Sequence, residues 1–377
     1  MADTHEALEG LDFPTPQRVI ARNCAEIKPE QIRWLWKPRI PLGSITLLAG
    51  RQGLGKSTLT ADLAAAVTRG DLDGDVSRPC GVLILSYEDH AATTLVPRLM
   101  AAGADLKKVD VLDVLLPEDG LVTLPGDLAE IEGIARDKWS KLLIIDPIVA
   151  SLPSTIDAHR DQDVRRAMAP LAKLAADCQL AALGLIHWNK GASTDAITRI
   201  SGSTGFSAAA RSVLAFGING KDADAEASGK RILAQAKTNL GAQACSIEYQ
   251  LEGVKLDESG IETVRIRKIG ETSIGASQLL LISETIATNS RLDEAVAFLQ
   301  DELADGRWHS KQEIVDRAKG ERISRNTLLR AFNQLGGEFD RRGFPAKAVW
   351  RLPKPVPANQ PKLPGLDAPV DPSLGQL

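Results

Sequence analysis

From Ile45 to Ile186 the chain repeatedly sets a short apolar run ahead of a longer amphipathic or alanine-rich segment, and few architectures accommodate that rhythm. Ile45–Ala49 is followed by Ser57–Thr68, Gly81–Ser86 by Ala91–Ala102, and Val109–Leu115 by Asp127–Trp139. Leu142–Asp146 then precedes Asp161–Cys178, and Ala181–Ile186 closes the series. Apolar runs of about five residues suit buried strands, whereas periodic segments of about ten or more suit helices. Strands that alternate with helices must be joined by crossovers, which produces a mostly parallel sheet with helices on both faces. The expected class is α/β.

After Arg211 the texture changes. Ser212–Ile218, Arg231–Ala236, Ser246–Leu251 and Thr263–Ile266 read as strands that complete one edge of the sheet. A polar stretch, 271–290, reads as a linker. Beyond it, Leu292, Val296, Leu299 and Leu303 share one helical face that Gly306 terminates. Ser310-Lys-Gln-Glu313 has the form of a capping box, and Ser324 can cap a further helix carrying Leu328, Phe332 and Leu335 inward. Two short strands around Arg341-Arg342-Gly343 would finish a small C-terminal winged helix-turn-helix. The expected organisation is a leader over 1–37, the α/β domain over 38–270, the linker, the winged helix over 291–352, and a proline-rich, disordered tail over 353–377.

With 377 residues, 44% of them hydrophobic, the chain can bury a full-sized core and a smaller second one. It has no apolar run of about 18 residues and no signal-peptide pattern, so a cytoplasmic protein without membrane association is expected. Cys24, Cys80, Cys178 and Cys245 are too scattered for a zinc site or a disulfide framework and read as mostly buried thiols. A net charge of -4 supplies no global attraction to nucleic acid, so any such binding needs a local basic surface.

The chemistry begins at Gly50-Arg51-Gln52-Gly53-Leu54-Gly55-Lys56-Ser57, with Thr58 following, which fits G-x-x-x-x-G-K-[ST] at every fixed position. Glycines let successive N–H groups turn toward phosphate oxygens, and the helix that follows presents its positive end to them. An apolar strand before the motif and a helix after it supply the context the motif requires. ATP is the implied ligand, with Lys56 on its β- and γ-phosphates and the Ser57 hydroxyl on Mg²⁺.

Two acidic positions can complete such a site. Asp146 ends a buried strand, where ligands of parallel sheets collect, and would hold Mg²⁺ through a water; alternatively Asp146-Pro147 is a strand-ending turn with the acid merely capping a helix. Glu88 follows the strand ending at Ser86. If that strand neighbours the P-loop strand, Glu88 can position or deprotonate the attacking water; otherwise Glu88-Asp89 is the solvated start of a helix.

Together these motifs resemble the RecA-like P-loop ATPases, in the branch of hexameric replicative helicases of the plasmid RepA and DnaB-like kinds. The resemblance spans roughly Trp36–Leu251 and adds Ser86-Tyr-Glu88-Asp89 with Arg98, Ile145-Asp146-Pro147, Leu185-Ile-His187-Trp-Asn-Lys190, Arg199-Ile-Ser-Gly202-Ser203 and Ala208-Ala-Ala-Arg211. It implies a RecA-like fold, Glu88 as catalytic base, His187 as γ-phosphate sensor and Arg211 as a finger into the neighbouring subunit of a hexamer. Residue by residue, a core histidine and a salt bridge within one subunit are the structural alternatives for His187 and Arg211. The loop Lys190–Ser203 corresponds to channel-facing family loops that contact DNA.

From Lys319 to Arg351 there are eight bases and three acids, a basic patch in an acidic protein. Arg325, Asn326 and Arg330 fall on the exposed side of the expected recognition helix, and Arg341 and Arg342 at the wing tip. Single-stranded or duplex DNA is the partner this pattern suggests; contact with a protein is the alternative. The expected function is a DNA-dependent ATPase in replication of a plasmid, phage or other mobile element, with helicase activity possible. An ATP-gated DNA-binding regulator and a protein-recruiting ATPase are the alternatives.

Overall fold

The computed structural model describes residues 21–114, 120–188, 204–219, 228–256 and 260–353, with the backbone alone over 283–290. The loop Lys190–Ser203, the tail beyond 353 and the first 20 residues of the leader lie outside the described residues. The chain divides into two compact units, one comprising 1–216 and 233–275, the other 217–232 and 276–377.

The first strands are β1 (Trp34–Trp36) and β2 (Ile40–Pro41), an antiparallel pair with all five side chains buried. The end of the expected leader forms part of a strand pair because Trp34 and Trp36 have apolar surface to bury, and Asp75 anchors it by accepting from the Trp34 N–H at 2.7 Å. There follow β3 (Ser44–Gly50), α1 (Lys56–Arg69), β4 (Gly81–Ser86), α2 (Val96–Ala101), β5 (Val109–Val111), α3 (Leu128–Asp137), β6 (Ser140–Asp146), α4 (Asp161–Cys178), β7 (Ala181–His187), α5 (Thr204–Ala209) and β8 (Ser212–Ile218). Then come β9 (Lys230–Thr238), β10 (Ser246–Lys255) and β11 (Glu262–Thr272).

Nine strands form one sheet in the order β11-β10-β9-β8-β3-β7-β6-β4-β5, of which β8 through β5 are parallel. α1 packs with α2, and α4 with α3 and α5; the right-handed rule for crossovers accounts for two such groups on opposite faces, because the chain first moves outward to β5 and then returns through β6 and β7 to β8. The strands that form the middle of the sheet, β3, β7, β6 and β4, are almost wholly buried, which is why their sequences are continuous apolar runs. This is the expected α/β architecture with a mostly parallel sheet. Register aligns the carboxyl ends: Gly50 lies opposite His187, and Ser86 opposite Asp146.

Two strand expectations need revision. β10 and β11 run well past the expected Leu251 and Ile266, because they pair with each other as an antiparallel ladder whose outer residues are charged. Glu252, for example, bridges to Arg265 and Arg267 across that ladder. Conversely, β5 stops at Val111. The cysteines also differ from expectation: Cys80 is buried, Cys178 half-buried, and Cys24 and Cys245 exposed. Cys24 opens a three-residue 3-10 helix with no buried residue, and Cys245 lies between β9 and β10 where the chain runs over the surface.

In the second unit, α6 (Ala276–Glu302), β12 (His309–Ser310), α7 (Lys311–Gly320), α8 (Arg325–Gln334), β13 (Glu338–Arg342) and β14 (Lys347–Arg351) follow in order. Most of 271–290, expected as a linker, is therefore helical: no glycine or proline interrupts 276–305, and Leu279 and Leu280 are buried. The three strands order as β12-β14-β13, all antiparallel. Leu299, Leu303, Ile314, Leu328, Phe332 and Trp350 make the core, and the Phe332 and Trp350 rings stack with centroids 4.1 Å apart. Ser324 caps α8 by accepting from the Thr327 N–H at 3.2 Å. Ser310 occupies the corresponding position of α7 without a side-chain cap bond, since its backbone is paired with Val349 in the sheet. No helix among the described residues is long and apolar enough to cross a membrane.

Candidate nucleotide site

The site grows from the end of β3. A Cβ on Gly50 would lie 2.5 Å from the Phe216 carbonyl oxygen on β8, so only glycine lets the chain leave the sheet here. Gly50→Ala is expected to cost about 1–3 kcal/mol through overpacking, read as a lowered midpoint in thermal unfolding; an unchanged midpoint would show that β8 yields at no cost. Gly53 and Gly55 take the left-handed conformation, with φ of 78° and 90°. Gly55 is also the N-cap of α1 and has no side-chain oxygen with which to cap it, which leaves the first N–H groups of α1 as donors to an anion.

Lys56, in the first turn of α1, is buried. Its Nζ donates to the carbonyl oxygens of Gly50 at 3.1 Å and Arg51 at 2.9 Å, and lies 3.2 Å from His187 Nδ1. Burial lowers its pKa to about 8, against the opposing pull of Asp146 and Glu88. Next to it, the Ser57 hydroxyl donates to Asp146 Oδ2 at 2.6 Å. Asp146 is itself buried, and burial raises its pKa despite the Ser57 hydrogen bond and the Lys56 charge. The helix-capping alternative for Asp146 is not what this geometry shows, because its carboxylate accepts from the P-loop serine.

Glu88 reaches the same pocket by a route the sequence did not suggest. Its strand is not beside the P-loop strand: β7 and β6 stand between β4 and β3. After Ser86 the chain bends back along the carboxyl edge, the Tyr87 N–H donating to the Asp146 carbonyl at 2.9 Å and the Tyr87 hydroxyl to the Val122 carbonyl at 2.6 Å. Glu88 Oε1 then lies 3.8 Å from His187 Nε2. Asp89 is held by an ion pair with Arg98. His187, at the end of β7, thus stands between Lys56 and Glu88.

The pocket, about 400 Å³, is lined by Gln52, Gly53, Gly55, Lys56, Ser57 and Thr58, and by Glu88, Asp89, Arg98, Asp146 and His187. Gly50, Arg51 and Leu54 do not line it. The first two offer their carbonyls to Lys56, and Leu54 is buried. Leu251 and Val264 complete the wall, and no signal in the sequence pointed to them: they come from β10 and β11, far downstream of the loop they cover. Leu251 packs so closely on Gly55 that a Cβ there would meet its methyls at 3.2 Å.

Arg211 lies elsewhere. It is exposed, does not line the pocket, and among the described residues no carboxylate pairs with it. Its N–H donates to the Ile45 carbonyl at 2.9 Å. Lys237 is near: its Nζ donates to the carbonyls of Ser207 at 2.7 Å and Ala210 at 3.2 Å, and burial, then the Arg211 charge, lower its pKa. In the second unit, Arg325, Asn326 and Arg330 are exposed on α8 and Arg341 on β13. Arg342 is more committed, paired with Asp340 at 2.9 Å and stacked over Trp308 at 4.3 Å.

The donor set suits Mg²⁺. A hydroxyl and a carboxylate oxygen 2.6 Å apart are hard ligands beside a phosphate cradle, and Mg²⁺ is ordinarily held by one or two such groups together with substrate phosphates. Ser57 and Asp146 are the residues that would hold it.

Residues 12–193, just under half of the chain, match a family model described as an AAA domain. No curated protein matches the chain. Among solved structures, it is similar to the KaiC-like protein PH0186 from the hyperthermophilic archaeon Pyrococcus horikoshii OT3, with 15% identity, 60% of this chain and 91% of that one covered, and a TM-score of 0.41. The family match spans the P-loop, Glu88, Asp146 and His187, which the sheet register gathers into one pocket. Residues 12–193 of the chain are thus similar to AAA domains, and the segment carries a complete P-loop motif.

Proposed function

We propose that the protein is a RecA-like, DNA-dependent ATPase acting as a homo-oligomeric motor in replication of a plasmid, phage or other mobile element. The observation that supports this reading best is the convergence of Lys56, the Ser57–Asp146 pair, Glu88 and His187 on one pocket. In this reading the α1 N-terminus and Lys56 bind the phosphates of ATP. Ser57 and Asp146 hold Mg²⁺, which when bound neutralises phosphate charge. Glu88 accepts the proton of the attacking water, and His187, between Lys56 and Glu88, reports on the γ-phosphate to the base.

Assembly as a hexamer is part of the proposal and rests on Arg211. An exposed guanidinium remote from its own pocket is suited to a neighbour's site, where it would stabilise charge on the transferring phosphoryl group. Mixing Arg211→Ala with Lys56→Ala subunits is expected to restore hydrolysis above either variant alone, because a sound pocket then meets a sound arginine. Absence of rescue would confine Arg211 to its own subunit.

We also infer that the second unit is a winged helix whose α8 meets DNA through Arg325, Asn326 and Arg330, with Arg341 and Arg342 toward the backbone. The direct test is steady-state ATP hydrolysis by the full chain with and without single-stranded DNA. Stimulation that fades steeply as salt rises supports the motor. Hydrolysis indifferent to DNA, with DNA still bound, points to the ATP-gated regulator; no DNA binding at all points to a protein-recruiting ATPase.

A further inference from the structure

The β13–β14 hairpin keeps an aromatic ring out of the core. Between the two strands Phe344 is fully solvent-exposed at 105%, and Phe339 on β13 is 55% exposed. Burial offers no account of them, since Phe332 and Trp350 already serve as the aromatic part of this unit's core.

The charges around the ring are equally uneconomical for stability. Arg342 lies directly across from Lys347, and like charges facing each other weaken a hairpin. From Arg341 to Arg351 the sequence has four bases and no acid. Two of these are engaged: Arg342 with Asp340 and Trp308, and Arg351 with Glu338 and Trp308. Arg341 and Lys347 are exposed, and among the described residues neither pairs with a carboxylate. The tip therefore offers one bare aromatic face flanked by two uncompensated cations.

Flat rings alternating with anions are the complement of such a surface, and single-stranded nucleic acid has that repeat. We propose that the β13–β14 tip binds single-stranded DNA, Phe344 stacking on an unpaired base while Arg341 and Lys347 hold the flanking phosphates. The exposed Arg325, Asn326 and Arg330 of α8 extend the polar, cationic surface of this unit, which favours a polyanion over a lipid surface that a single ring would grip weakly. The proposal rests on the DNA-binding part of the function proposed above and adds to it a base-stacking residue and the strandedness of the ligand.

The test uses the full chain with fluorescein-labelled single-stranded and duplex oligonucleotides, and a single-stranded probe carrying one 2-aminopurine. Phe344→Ala is expected to weaken single-strand binding by roughly tenfold with an unchanged salt slope, because the ring carries no charge. Phe344→Trp should restore affinity and 2-aminopurine quenching. Arg341→Ala should lower the salt slope by about 0.7, the share of one single-strand phosphate. Hydrolysis of ATP without DNA should match wild type in both Phe344 variants, which sets aside misfolding. The proposal is overturned if Phe344→Ala binds single strands as wild type does, if the loss falls on duplex alone, or if it falls only on vesicles containing phosphatidylserine. The first two outcomes leave the DNA-dependent ATPase standing; a wild-type chain that binds no DNA removes both.

Discussion

Lys56→Ala is expected to eliminate measurable ATP hydrolysis and to weaken ATP binding by roughly 10- to 100-fold, the worth of hydrogen bonds from a charged donor. The side chain already sits where phosphates would arrive, held by the Gly50 and Arg51 carbonyls at the foot of the loop. Binding would exchange those carbonyls for phosphate oxygens. The same residue sets a pH dependence with a definite sign. Its pKa is about 8 in the folded chain and 10.5 in an ordinary setting, so between these values the unfolded chain binds more protons. Folding stability therefore gains as pH rises from about 8 toward 10.5, while ATP affinity falls over the same range because the cation is being lost. Urea unfolding and ATP titrations across that window should move in opposite directions for the wild type. Lys56→Ala should show neither trend. If both quantities are flat in the wild type, Lys56 is not the titrating group.

Glu88→Gln separates binding from chemistry. The amide keeps the size of the carboxylate and its place near His187 but cannot take a proton, so hydrolysis should slow by about 10²–10⁴-fold while ATP binding stays close to wild type. Single-turnover hydrolysis alongside equilibrium binding of ATP makes the distinction. Loss of binding and turnover together would make Glu88 part of the phosphate cradle, and a fully active variant would remove it from the mechanism. A residual rate is expected even in the strongest outcome, because the α1 N-terminus, Lys56 and Asp146 remain in place.

Much of the candidate site was legible because its geometry is local. A strand, a glycine-bearing turn and a helix are contiguous from Ser44 to Arg69, so a linear motif describes the cradle, and the left-handed φ at Gly53 and Gly55 is the conformation glycine supplies. Asp146 was readable for a related reason: an acid closing a buried apolar run ends on the carboxyl edge of a parallel sheet. The charged outer halves of β10 and β11 were not readable, because a ladder exposed on its outer side imposes no apolar pattern on residues such as Glu252, Arg265 and Arg267. The helix through 276–290 was missed for the opposite reason, its polar residues resembling a linker although nothing in it interrupts a helix.

By itself the sequence determined the α/β alternation, the glycine-rich turn between β3 and α1 and the polar side chains that follow it, since each follows from the chemistry of neighbouring residues. Tertiary structure alone decided which distant groups share the pocket. Strand order set β7 between β3 and β6 and brought His187 opposite Gly50, and the bend after β4, tied to the Asp146 carbonyl, carried Glu88 past β6 to His187 at the end of β7. It also laid Leu251 and Val264 over the loop. Sheet pairing is a contest among all the strands for partners and burial, and its outcome depends on contacts far apart in the chain that no local pattern records.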